Sequence, residues 1–271
     1  MNDSFAIESF DAGMTAPPFK VVLINPYELG RQSFNLAAPT ALLKAVGCEV
    51  ACLDLTLEKL EPEILRDADL VAIHLGMHTA TRIAIAALPK ICELAPANTH
   101  LAMYGLYASM NADHLRGLGV HSLLGGEFEP ELVALVERLR DGDISPQTSP
   151  MVQLAKVNFL PPDRSGLPLL TRYAHLILPE GDTKVVGFTE STRGCKHLCR
   201  HCPVVPVYEG KFRTVHVDVV FADIDQQLAS GAELISCLFY SSSASDDYHL
   251  FFLFVLLFSS SSLLLPSSMF Y

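Results

Sequence analysis

Cys195, Cys199 and Cys202 stand close together in the segment Cys195-Lys-His-Leu-Cys199-Arg-His-Cys202, preceded by Thr192-Arg193-Gly194. A C-x3-C-x2-C spacing puts three thiolates on one turn of loop. Three sulfurs can hold three irons of a cubane and leave the fourth iron open to an outside ligand. A fourth protein ligand would close the site and suit a structural metal or simple electron transfer. Zinc is the competing metal, with His197 or His201 as fourth ligand, although both histidines lie between the cysteines, where folding back onto one ion strains so short a loop. Cys48, Cys52, Cys92 and Cys237 bring the total to 7, an odd number and a poor disulfide framework. Cys48, Cys52 and Cys92 fall in helix or strand patterns and read as small buried hydrophobes.

The elements that position this group begin well upstream. From Lys20 to Asp141 apolar runs alternate with helical stretches: Val21 to Ile24, Val50 to Leu55, Leu70 to Leu75, His100 to Tyr104 and Val120 to Leu124 read as strands. Asn35 to Val46, Thr79 to Leu94 and Glu129 to Leu139 read as helices, the first ended by Gly47 and the last opened by Glu127, Glu129 and Glu131 and closed by Arg138 and Arg140, as the helix dipole favours. One strand per helix predicts an α/β fold, a doubly wound, Rossmann-like parallel sheet whose ligand crevice lies beyond the C-terminal strand ends. The loops at those ends read Asn25-Pro26-Tyr27, Gly76-Met77-His78-Thr79, Gly105-Leu106-Tyr107 and Gly125-Gly126-Glu127. Glycine there permits a ligand to approach the backbone, and it is equally the residue of an ordinary turn. His74, inside a strand, reads as a hydrogen-bonded structural histidine, whereas His78 stands in a loop open to a ligand.

A proline-rich stretch, residues 142–180, reads as a surface linker. The unit from 181 to 236 then opens with the strand Lys184 to Thr189, passes the cysteine group, forms a helix over Val217 to Ser230 and starts a new strand at Glu233. Residues 1–19 carry Asp3, Glu8 and Asp11, lack a secretory signal and read as a disordered leader of a cytoplasmic protein. A net charge of −11 and no Lys/Arg cluster exclude nucleic acid as the main partner.

The cysteine loop resembles that of the radical S-adenosylmethionine (SAM) superfamily, in which a C-x3-C-x2-C loop follows the first strand of a partial (βα)6 barrel, as Cys195, Cys199 and Cys202 follow Val185 to Thr189 here. The resemblance implies a [4Fe-4S] cluster on those three cysteines, SAM on the open iron, its reductive cleavage to a 5′-deoxyadenosyl radical, and an electron donor such as flavodoxin or ferredoxin. His201 takes the place where the family has an aromatic residue, so its ring would pack beside the cluster or the adenine. With the α/β unit ahead of it, the chain from Lys20 to Ser236 resembles the cobalamin-binding class of that superfamily. This implies cobalamin over the C-terminal sheet edge, near Asn25, Pro26, Met77, His78, Thr79, Gly105, Tyr107, Gly125, Gly126 and Glu127. The Asp-x-His-x-x-Gly segment of cobalamin mutases is absent from Tyr27 to Arg31, so no axial histidine comes from that motif. Cys199 to Tyr208 is also similar to the radical SAM subgroup named for a CUAEP or CCAEP tail, a motif this chain lacks.

After about Ile235 the resemblance stops. Residues 237–271 form a low-complexity tail in which everything from Leu250 to Ser268 except Val255 is Phe, Leu, Ser or Pro, residue types that share all-pyrimidine codons. A frame error or truncation accounts for such a tail better than selection for a fold. Leu250 to Phe258 is too short for a membrane span, which needs about 20 residues, and reads as an exposed, aggregation-prone segment. The expected function is a cobalamin-dependent radical SAM enzyme performing methyl transfer or radical rearrangement on an unknown small-molecule or peptide substrate, with no catalytic residue assignable beyond the cluster and no membrane partner. The alternatives are a truncated, non-catalytic cobalamin-binding module and, last, a zinc-binding interaction protein.

Overall fold

The computed structural model describes residues 18–145, 152–239 and 252–257. The leader expected over residues 1–19 lies outside the described residues except at its end, where Phe19 already opens a strand. The first unit is a six-stranded sheet in the order β2-β1-β3-β4-β5-β6, built from β1 (Phe19–Asn25), β2 (Cys48–Asp54), β3 (Leu70–His74), β4 (His100–Tyr104), β5 (Ser122–Gly126) and β6 (Val152–Gln153). All its pairings are parallel. The fold class expected from the alternation of elements is the one observed.

Because successive residues of a strand face opposite sides, parity along β1 sorts the core into two layers. Val22 and Ile24 pack with Leu88 and Ile91 of α3 (His78–Leu94), together with Leu65 of the short α2 (Pro62–Leu65). α4 (Leu106–Met110) and α5 (Ala112–Gly117) cover the same face through Ala108 and Leu115. Val21 and Leu23 pack on the other face with Leu36 and Leu43 of α1 (Phe34–Ala45) and Leu132 and Val136 of α6 (Glu129–Arg140). Both faces being covered, the strands are continuously apolar. Cys48 and Cys52 are buried in this core as expected, but Cys92 is exposed on α3, because its position points away from the stripe formed by Leu88 and Ile91.

The proline-rich stretch is more than a surface linker. It supplies β6 to the first sheet, a 3-10 turn (Leu170–Arg172) and β7 (His175–Ile177). Arg164, Leu170 and Tyr173 are buried. Most of the other described residues of the segment are exposed or half-buried, so the stretch runs over the surface and is pinned to it at these side chains. The second sheet runs β12-β11-β8-β7, with β8 (Thr183–Glu190) parallel to β11 (Leu234–Phe239) and α8 (Val217–Ala229) crossing between them. A small antiparallel pair joins β9 (Thr192–Gly194) to β10 (Phe212–Thr214), with the short α7 (Val205–Tyr208) between. Within the tail, residues 252–257 form β12 (Phe252–Leu257), antiparallel to β11 from Leu234↔Leu257 to Phe239↔Phe252. The apolar run that reads as exposed therefore pairs along the sheet edge, where β11 offers unpaired backbone groups. No helix among the described residues is long and apolar enough to cross a membrane.

Candidate functional site

β2 lies on one side of β1 and β3 on the other, so the chain reverses its winding direction between β1 and β3; in a 2-1-3-4-5 sheet that switch point opens a crevice at the C-terminal strand ends. A cleft of about 380 Å³ lies there, lined on the first unit by Tyr27, Met77, Tyr107 and Phe128 among others. Its opposite wall comes from the second unit: Phe188, Glu190, Thr192 to Gly194, and Cys202 to Val204. The volume is within the range of small-molecule clefts.

Of the loop residues expected to face a ligand, Met77, Gly105, Tyr107 and Gly126 line the cleft. Asn25, Pro26, Gly125 and Glu127 are buried beneath it, and His78 and Thr79 are exposed on the first turn of α3 without lining it. Three of the glycines line the cleft and also serve the packing beneath it. A Cβ on Gly76 would come within 2.7 Å of Cε1 of His74, and one on Gly105 within 2.9 Å of its Cδ2, so the two loops are bare to admit a histidine ring. Gly126, at φ +70°, would place a Cβ 2.2 Å from the carbonyl of Gln153 and is bare to let β6 pair. His74 itself lines the cleft, 4% exposed, and makes no hydrogen bond among the described residues. Its ring packs against Tyr104 at 5.4 Å. Burial, and secondarily the charge of Arg193, hold it neutral, its pKa lowered to about 3.

A buried ionic cluster joins the two walls. Arg193, 7% exposed and next to the cysteine loop, approaches Glu129 at 2.6 Å, Glu190 at 3.3 Å and Glu127 at 3.8 Å. Of these only the contact from its Nε to Glu190 has hydrogen-bond geometry; Nη1 and Nη2 make none, so the remainder is charge proximity. Tyr208 donates to Glu127 at 3.0 Å. Burial pushes Glu129 up to about 7 against the pull of Arg193. Glu127, expected near cobalamin as well as at a helix N-terminus, and Glu129, expected to complement that helix dipole, are charge partners of Arg193 from the other unit. Nearer the cleft, Nδ2 of Asn35 donates to Glu28 at 3.3 Å and to Glu190 at 3.2 Å. Burial raises both carboxyls, Glu28 to about 8. Glu28, Asn35, Glu190 and Arg193 carry no motif that reveals them; only the position of Arg193 before Cys195 and of Glu28 after a strand end hinted at a site.

Cys195, Cys199 and Cys202 are free thiols of intermediate exposure. Cys202 faces the cleft, and its backbone N–H bonds to the carbonyl of Cys199 at 3.2 Å. His201 and His197 are exposed. Three uncommitted thiols are suitable donors for an iron–sulfur cluster, but among the described residues no three Cys, His, Asp or Glu side chains are gathered around one point where an ion could sit. The loop as it stands presents the donors without converging them.

Among solved structures, two of one enzyme are similar to this fold. The radical S-adenosylmethionine methyltransferase TsrM from Kitasatospora setae, solved with cobalamin and a [4Fe-4S] cluster, superposes with a TM-score of 0.59 at 15% identity, over 81% of this chain and 47% of that one. The same enzyme solved with tryptophan substrate and a SAM analog gives 0.57 at 16% identity, over 80% and 47%. The chain thus spans about half the length of the structures it matches. No family model matches the chain, and no curated protein matches it. The likeness is one of fold: a doubly wound sheet followed by a strand, a loop and a second parallel strand.

Proposed function

We propose that this chain is the cofactor-binding part of a cobalamin-dependent radical SAM enzyme. The observation that carries this is a single cleft walled on one side by the switch point of the doubly wound sheet and on the other by β9 and the cysteine loop, with Cys202 in its lining. The first wall suits cobalamin, since Tyr27, Met77 and Tyr107 offer apolar contact and the loops at Gly76, Gly105 and Gly126 keep the mouth low. Cys195, Cys199 and Cys202 would hold a [4Fe-4S] cluster once their loop closes. When bound, that cluster supplies the electron for reductive cleavage of SAM, and cobalamin supplies a methyl carrier. The chain's own residues bind and shield: Phe128, Phe188 and Leu106 exclude water from the cleft, and the Arg193 cluster holds the two walls in register. The TsrM structure solved with cobalamin and a [4Fe-4S] cluster, and the one solved with a SAM analog, support these cofactors on this fold. Methyl transfer or radical rearrangement of a small-molecule or peptide substrate is the reaction class this reading names.

The test is anaerobic reconstitution with iron and sulfide in the presence of hydroxocobalamin. Bound iron, acid-labile sulfide, an EPR signal on reduction and one bound cobalamin are expected, with iron lost in C195A, C199A and C202A. Stoichiometric zinc without sulfide would overturn the cluster. Cobalamin without iron would favour a second reading, a non-catalytic cobalamin-binding module, which the unconverged thiols support.

A further inference from the structure

Besides Arg193, whose Nη1 and Nη2 lie among carboxylates without hydrogen-bond geometry, two polar groups of the cleft wall are left without the partners that burial demands. Glu28 is 8% exposed; its Oε1 accepts from Asn35, and its Oε2 has no hydrogen-bond partner. The Ser33 hydroxyl lies close enough to favour the charged form of Glu28, but the two side chains do not meet in hydrogen-bond geometry. His74 is 4% exposed, with Nδ1 unpartnered and the ring held in place by Gly76, Gly105 and Tyr104 rather than by any polar contact. Both line the same cavity. Buried polar atoms without partners cost about 1–3 kcal/mol each, so their retention at a cavity points to a ligand that satisfies them.

We propose that the Glu28 carboxyl and the His74 imidazole form a hydrogen-bonding subsite for the primary carboxamide arms that edge a corrin ring. The inference rests on the cobalamin reading and deepens it. The groups facing Glu28 are Glu190 from β8, Asp54 from β2, and Asn35 and Ser33 at the start of α1. Burial first, aided by Glu190 and Asp54, outweighs the opposing pull of Ser33 and Asn35 and raises the Glu28 pKa to about 8, so near neutral pH it presents one O–H donor and one carbonyl acceptor. His74 faces Tyr104 from β4 and Arg193 from β9, and burial with the Arg193 charge keeps it neutral, one N–H donor and one lone pair. A carboxamide offers the complementary set, N–H donors and a carbonyl acceptor, and brings no charge into the wall. Arg31, the other cation of the lining, is engaged over the Phe188 ring at 4.7 Å.

The test titrates hydroxocobalamin into the full chain and into E28A, E28Q and H74A, each first checked for native far-UV circular dichroism. E28A and H74A should each weaken binding about tenfold, the size of one lost hydrogen bond between neutral groups. The conservative variant E28Q should recover most of what E28A loses, and wild-type affinity should fall as pH rises past about 8 while that of E28Q stays level. An infrared carbonyl band of a protonated carboxyl, present at pH 7 and removed by E28Q, is expected even without cobalamin. Absence of that band, or unchanged affinity in E28A and H74A, overturns the subsite while leaving the cobalamin reading intact. A nitrogen splitting in the EPR of bound cob(II)inamide that H74A removes would also overturn it, by making His74 a cobalt ligand. If the wild type shows the band but binds no cobalamin, the cobalamin reading fails and takes the carboxamide assignment with it.

Discussion

Arg164 ties three parts of the chain together, and its removal should be among the most costly single changes. Its guanidinium donates to both oxygens of Asp223 on α8, at 2.7 and 2.9 Å, to Gln32 at 2.8 Å and to the carbonyl of Phe188 on β8 at 2.7 Å. Asp223 is fully buried and Arg164 is 7% exposed. Truncation to Ala strands the Asp223 carboxylate with Gln227 as its one remaining side-chain donor, at 3.1 Å. Breaking a buried pair from one side costs about 3–5 kcal/mol, and the two other acceptors left bare add roughly 1 kcal/mol each. R164A should therefore lose about 5 kcal/mol, a large share of the roughly 5–15 kcal/mol of a whole domain. At roughly 2–4 °C per kcal/mol for a chain of this size, the midpoint should fall by more than 10 °C. The assay is urea and thermal denaturation followed by far-UV circular dichroism, since the chain has no Trp. D223N should cost about as much, for it strands the cation, whereas R164M/D223L should recover much of the loss because two apolar groups carry no unpaired charge. Single variants within about 1 kcal/mol of wild type, or a double variant as costly as the sum of the singles, would refute the reasoning.

Burial holds His100 down to about 4 and His74 down to about 3, so both stay neutral in the fold while the unfolded chain takes up protons near pH 6.5; stability should be whole above pH 6.5 and fall toward pH 4, with a shallower fall in H100N. Glu28 has the opposite sign, its folded value of about 8 lying above that of the unfolded chain, so its contribution is lost as pH rises from about 4.5 to 8 and E28Q should gain on wild type at pH 9 relative to pH 5. G126A should cost roughly 3 kcal/mol or more, the sum of a left-handed Cβ penalty and a clash with the Gln153 carbonyl, read as a lower denaturation midpoint.

The strand His100–Tyr104 has the same limits in sequence and structure, because a short run of strand-forming residues bounded by turns is a local signal. β5 was expected two residues early, over Val120 to Leu124; glycines read as turn, yet Gly125 and Gly126 pair with Val152 and Gln153, a partner brought from far along the chain. The same limit hid the site. Arg193 meets Glu127 and Glu129, and Arg164 meets Asp223, across separations that no window of sequence spans. His74 was expected to be hydrogen-bonded because polar groups in central strands are; it is unpaired because two loops made bare at Gly76 and Gly105 give its ring a slot at the cleft. Segment 142–180 lacks periodicity because an extended segment buried through single residues such as Arg164 and Tyr173 has none.

The pairing of β12 with β11 gives the tail a physical role that can be measured. β11 has β8 on one side, parallel, and β12 on the other, antiparallel, so β12 covers an edge that an alternating strand-helix fold would give to a parallel strand. An uncovered edge next to the buried Ile235 and Ser236 is a template for a second copy of the chain. Deleting residues 240–271 should therefore raise light scattering with concentration and lower the thermal midpoint, while adding a soluble parallel-strand partner is not needed to see the effect. A deleted chain that stays monomeric and melts as before would show that β12 contributes nothing to the second sheet, and that the edge of β11 is protected by its own twist and by α8 alone.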